Sequence, residues 1–143
     1  MINKKFIKQI PNEILYLIMK FSYNKQSKEL ILDINNFYYS KNQLYLLYFN
    51  YWIKSDLNNC DNFKLLILND LLDFLNNYSS YYFGYNENLY SILSRNILLD
   101  TKNKINKYLL ILETKDVESV ISIFWGLMTI NERSIILSQT KLN

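Results

Sequence analysis

Apolar and polar residues recur along nearly the whole chain at the three- and four-residue spacing of an α-helix. The pattern predicts a first helix over 11–22. On a 100° wheel Ile14, Leu17, Ile18 and Phe21 form one apolar face, and Leu15 and Met19 widen it sideways. Asn12, Glu13, Tyr16 and Lys20 remain for solvent. An ordinary surface helix needs an apolar stripe little more than ~100° wide; this arc is nearer ~200°. Such a helix is buried deeply or touches two bodies, its own core and a partner. Pro11 suits the first helical position, where its missing N–H would be unpaired anyway, and Glu13 suits the dipole of the first turn.

The remaining elements follow in order. Residues 29–38 carry Leu30, Ile31, Leu32, Ile34 and Phe37 and fit a short helix or a strand. The chain restarts near Ser40, and 44–53 reads as an aromatic helix with Tyr45, Tyr48, Phe49, Tyr51 and Trp52. After a polar loop over 55–62 comes the clearest helix, 63–78. Asn69, Asp70, Asp73, Asn76 and Asn77 lie on its polar side, and Phe63, Leu65, Ile67, Leu68, Leu71, Leu72, Phe74, Leu75 and Tyr78 on the other. An amphipathic segment over 87–99 carries Leu89, Ile92, Leu93 and Ile97. Thr101 can cap a helix over 102–113, whose end, Tyr108-Leu109-Leu110-Ile111-Leu112, also fits a strand. Thr114 or Asp116 can cap 117–127, and Thr129-Ile130-Asn131-Glu132 is a capping box that opens the last helix. Asn-Gly and Asp-Gly hairpin signals are absent. The expectation is an all-α fold of six to eight helices. Its parts are an N-terminal part over 1–55 and a helical C-terminal part over 56–143, or one continuous domain.

Composition narrows the chemistry. The chain has 143 residues, half of them hydrophobic and 20% charged, enough for a sizeable core. It lacks histidine and alanine and is rich in Asn, Lys, Ile, Leu and Tyr. The favoured types mostly have AT-rich codons, as in genomes of some large DNA viruses, parasites, organelles and small bacteria. Without histidine there is no Ser-His or Cys-His nucleophile pair, and with Cys60 alone there is no thiolate metal cluster and no internal disulfide. Gly84 and Gly126 cannot form a phosphate-cradling loop. Asp70 and Asp73 share a helix face and read as its solvated side. No catalytic residue, metal site, cofactor or small-molecule substrate is therefore expected. The net charge of +3 falls short of a nucleic-acid footprint, and no Lys or Arg interleaves the aromatic cluster over 81–85. The single cysteine, the lack of an apolar run near ~18 residues and the lack of a leader pattern point to a protein of the cell interior, such as the cytoplasm.

One motif goes beyond fold class. Ile10-Pro11-x-Glu13-Ile14-Leu15-x-x-Ile18-Met19-x-Phe21 resembles the first helix of an F-box, with Ile10 in place of a leucine and Ser22 where a leucine is usual. Leu30, Leu32 and then Ile34-Asn35-Asn36-Phe37-Tyr38 are similar to the leucine-rich turn and Val-Cys/Asn-Lys-x-Trp/Phe of the second half. They have about one extra residue of spacing, and Asn36 stands in place of the lysine. The resemblance implies a three-helix module that docks on a Skp-type adaptor and brings substrates to a cullin ubiquitin ligase. Pro11, Ile14, Leu15, Ile18 and Met19 would be the adaptor-facing set. A second resemblance competes. Ser40-Lys41-Asn42-Gln43-Leu44 through Asn50-Tyr51-Trp52, and Leu127-Met128-Thr129 before an Ile-rich helix, look like segments of the poxviral Bcl-type inhibitors. That likeness implies a single all-α domain that binds host signalling proteins. A structural or assembly subunit is the third class. All three imply a non-enzymatic protein–protein interaction module.

Overall fold

The computed structural model describes residues 11–23, 26–54, 62–79 and 85–140, and of these the side chains of Met19, Phe21, Ser22, Tyr23, Lys54, Asn62 and Thr140 are not described. Seven helices and no strand are found among the described residues. They are α1 Asn12–Tyr23, α2 Lys28–Lys54, α3 Asn62–Leu75, α4 Glu87–Leu93, α5 Lys102–Leu112, α6 Val117–Leu127 and α7 Ile130–Thr140. The fold is all-α, as the periodicity predicts.

The chain divides into two units, Met1–Leu32 and Asp33–Asn143, and the division falls inside α2. The first unit holds α1 and the opening of α2. Helix α1 begins one residue later than the sequence suggests: the Pro11 carbonyl accepts from the Ile14 and Leu15 N–H groups, both at 3.0 Å, so proline caps the helix rather than opening it. Ser27 caps α2, its Oγ accepting from the Leu30 N–H at 3.1 Å.

The second unit holds the core. Helix α3 buries Ile67, Leu71 and Leu75, one residue every four, and packs most extensively against α6. Helix α6 buries Val120, Ile121, Phe124 and Trp125. Leu44 and Tyr48 of α2, Leu89, Ile92 and Leu93 of α4, Ile105, Leu109 and Leu112 of α5, and Ile136 of α7 complete the cluster, with Leu99 and Met128 from the connections.

Four expectations are corrected. First, 29–38 and 44–53 are one continuous helix, not two elements separated near Ser40. Serine resembles a breaker because its hydroxyl competes for backbone bonds. Here the Ser40 Oγ is buried, donates to the Asn36 carbonyl one turn back and accepts from the Trp125 Nε1–H at 3.0 Å. The bond that could end a helix is absorbed within it. Second, α3 stops at Leu75, three residues early. Asn77 and Tyr78 have positive φ, 50° and 55°, and the Tyr78 N–H donates to the Asp73 carbonyl at 2.7 Å, a left-handed helix end. Tyr78 leaves the apolar face and donates its hydroxyl to Gln139 Oε1 at 2.8 Å. Third, Asn76 is fully buried rather than solvated. Its Nδ2 donates to the Ser79 carbonyl at 2.8 Å and its Oδ1 accepts from the Asn86 N–H at 2.6 Å. Fourth, α4 ends at Leu93, and Ile97 and Leu98 are exposed in the turn that follows.

The caps in the second unit follow the sequence closely. Thr101 accepts from the Lys104 N–H at the start of α5, and Asp116 from the Ser119 N–H at 2.9 Å at the start of α6. Both halves of the capping box form: the Glu132 N–H donates to Thr129 Oγ1 at 3.3 Å, and the Thr129 N–H donates to Glu132 Oε2 at 2.7 Å. The strand alternative for 108–112 is not taken; the segment completes α5.

Candidate protein-binding surface

The sequence singles out α1, and the structure leaves its apolar face open. Ile14 and Leu17 are each 47% exposed and Ile18 is 51% exposed. Pro11, Asn12, Glu13, Tyr16 and Lys20 are exposed too, and Leu15 is half-buried. On the helical wheel Leu17, Ile14, Ile18 and Pro11 follow one another within an arc of about 120°. Of the five residues expected to face a partner, Pro11, Ile14 and Ile18 share this open arc, and Leu15 lies at its edge. Met19 lies on the helix, but its side chain is not described. Leu17 joins the arc although the adaptor-facing set leaves it out.

The physical consequence is direct. A helix of 12 residues is marginal in water by propensity alone, and most helical stability comes from packing an apolar face. Helix α1 has that face and leaves about half of it in water. Burying three such side chains from half-exposure would contribute about 2–4 kcal/mol at the usual ~25 cal/mol per Å².

The second half of the F-box-like pattern falls on α2. Ile34 and Tyr38 are exposed and Phe37 is half-buried, with the Arg133 guanidinium 5.6 Å from its ring centre. Asn36, which stands in place of the usual lysine, accepts from Arg133 Nη1 at 3.1 Å. Sequence reasoning missed Arg133 altogether. It is 99% buried, donating from Nε to the Trp125 carbonyl at 2.9 Å and from Nη1 to Asp33 Oδ1 at 2.8 Å. A lone arginine on an amphipathic helix carries no signal of burial, and only the distant partners Asp33 and Asn36 explain it. Asn36 thus has a packing role in the second unit.

Lys41 Nζ donates to Ser122 Oγ at 2.7 Å, and Ser122 in turn donates to the Glu118 carbonyl of its own helix, which ties the hydroxyl into the helix backbone. Asp70 accepts from the Tyr48 hydroxyl, a tie between α2 and α3. The Tyr45 hydroxyl is buried with no partner among the described residues, and burial, helped by the charges of Glu118 and Asp116, pushes its pKa up to about 12. Arg95 forms a fork on Glu132 at 2.6 and 2.8 Å and holds that carboxyl down at about 2. No group of three His, Cys, Asp or Glu among the described residues is placed to hold a metal ion. A cleft of about 260 Å³ in the second unit is lined by Leu68, Leu72, Leu109, Leu112, Val117 and Phe124, with Tyr85, Glu113 and Lys115 beside them. It falls just under the ~300 Å³ at which ligand pockets begin.

Cys60 and residues 81–84 of the aromatic cluster lie outside the described residues. No described helix is long and apolar enough to cross a membrane. Compared with family models, curated proteins and solved structures, the chain matches none.

Proposed function

We propose that this chain is a non-enzymatic protein-binding module that captures its partner on the apolar face of α1. One observation carries the reading: Ile14, Leu17 and Ile18 are about half exposed on a short helix that propensity alone does not sustain. Scattered apolar residues on a surface are ordinary, but a contiguous helical arc of them marks an interaction site. A helix face with anchors at i, i+3 and i+4 is a recurring recognition mode, laid into an apolar groove of the partner.

In its most specific form the partner is a Skp-type adaptor and the chain recruits substrates to a cullin ubiquitin ligase inside the cell. The order Pro11-x-Glu13-Ile14-Leu15 supports that form. The continuous α2 departs from it, since an F-box resemblance implies a turn between two helices where 28–54 is one. The viral Bcl-type reading draws on the α3–α6 centre of the second unit, a helical core wrapped by other helices.

The test is capture of a purified Skp-type adaptor by the full chain, repeated with Ile14→Glu/Ile18→Glu. The adaptor reading expects wild-type binding and at least a ~100-fold loss in the variant, about 2.7 kcal/mol. No wild-type binding sinks the adaptor form. Undiminished binding by the variant sinks the α1 surface itself.

A further inference from the structure

We propose that the outer face of α2 pairs with the same face of a second copy of this chain. The inner face of α2 is spoken for: Ser40, Leu44, Tyr48 and Trp52, at four-residue steps, are buried in the second unit. Opposite them on the wheel lie Tyr39, Leu46 and Ile53, which are 68%, 60% and 55% exposed. They are seven residues apart. That step keeps a stripe facing a second helix along its length, which is the seam of a coiled coil. Tyr38 and Phe49 flank the seam and are exposed as well, and Tyr38 meets Tyr39 edge to face with ring centres 5.7 Å apart.

Charge is compatible with a second copy. Between 34 and 53 the only charged residue is Lys41, and its ammonium is engaged by Ser122 on the inner side. In a self-pair any charge would be set against its own copy, and this face carries none. A charged partner would find nothing on it to hold. Asn42 sits between Tyr39 and Leu46 and is exposed. In a symmetric pair its amide, both donor and acceptor, can bond its own twin and fix the register.

Size is sufficient. The run from 38 to 53 spans ~24 Å of helix. Tyr38, Tyr39 and Phe49 alone offer roughly 300 Å² of exposed surface, at ~200 Å² for a whole aromatic side chain. Leu46, Ile53 and the asparagines bring the face toward the ~800 Å² per partner of a stable interface.

The experiment is light scattering with size exclusion on the full chain, from micromolar to submillimolar concentration. Wild type is expected to move from the 17.3 kDa monomer to twice that mass as concentration rises. Tyr39→Glu/Leu46→Glu is expected to stay monomeric with its helical circular dichroism unchanged. Leu46→Ala, the milder variant, is expected to weaken pairing about 10-fold. Leu98→Glu, an exposed apolar position far along the chain, is the control and is expected to pair like wild type. A wild type that remains monomeric throughout overturns the proposal. So does a dimer that survives both α2 variants, or aggregation that Tyr39→Glu/Leu46→Glu does not relieve.

Discussion

Helices α1 and α6 are of nearly equal length and both are rich in large apolar residues, yet they end in opposite circumstances. Helix α6 buries Val120, Ile121, Phe124 and Trp125 against α3 and its neighbours. Helix α1 keeps Ile14, Leu17 and Ile18 about half in water. The hydrophobic periodicity that announces a helix is the same for a core layer and for a docking face. Only tertiary context separates them, because burial depends on what chain returns to cover the face.

The sharpest way to break that comparison is to truncate both faces. Trp125→Ala removes a fully buried ring and its hydrogen bond to Ser40, and is expected to cost about 3–5 kcal/mol in urea unfolding. Ile18→Ala, at a position half in water, is expected to cost only about 1 kcal/mol by the same measurement. Equal costs would mean that α1 is a core layer after all.

Next in size is Arg133→Met. The substitution keeps the apolar stem but leaves the Trp125 carbonyl and the Asn36 amide without their donor. Asp33 is 44% exposed and can be rehydrated, which limits the loss. The expected cost is about 2–3 kcal/mol, read from the urea midpoint. A cost near zero would show that the buried guanidinium serves no packing purpose.

A smaller effect comes from pH. The Glu132 carboxyl is held at about 2 in the fold, chiefly by the Arg95 hydrogen bonds, and would titrate near ~4.3 in an unfolded chain. Its folded pKa is depressed, so its stabilisation is fully present above the unfolded value and is lost as pH falls toward about 2. Arg95 is 35% exposed, so solvent reduces the contribution to about 1 kcal/mol. Urea unfolding from pH 6 down to pH 2 is expected to show this loss in wild type and to lack it in Glu132→Gln. Parallel curves for the two proteins would contradict it.

Much of the fold was legible because caps and periodicity are local. Thr101, Asp116 and the Thr129–Glu132 box mark helix starts by hydrogen bonds that span only three residues. What was not legible depends on distant chain. Ser40 resembles a break until Trp125, 85 residues away, occupies its hydroxyl. Asn76 reads as polar surface until the backbone of Ser79 and Asn86 folds over it. Arg133 reads as solvated until Asp33, 100 residues earlier, meets it. On α1 the apolar residues were legible one by one, but their exposure was not. A wheel gives directions and cannot say which direction holds water; it places Leu17 on the apolar face, and only the adaptor-facing set implied by the F-box resemblance omits it.

The central claim is that the α1 face is kept for a partner and is not needed for the fold. The direct measurement is urea unfolding of Ile14→Glu/Ile18→Glu beside wild type, with glutamate chosen because it sustains a helix as well as most residues. The account predicts unchanged helical circular dichroism and a loss of no more than about 2 kcal/mol, the worth of the half of each side chain that is already covered. A loss of about 4 kcal/mol or more, the cost of two core sites, would place Ile14 and Ile18 in the core and contradict it.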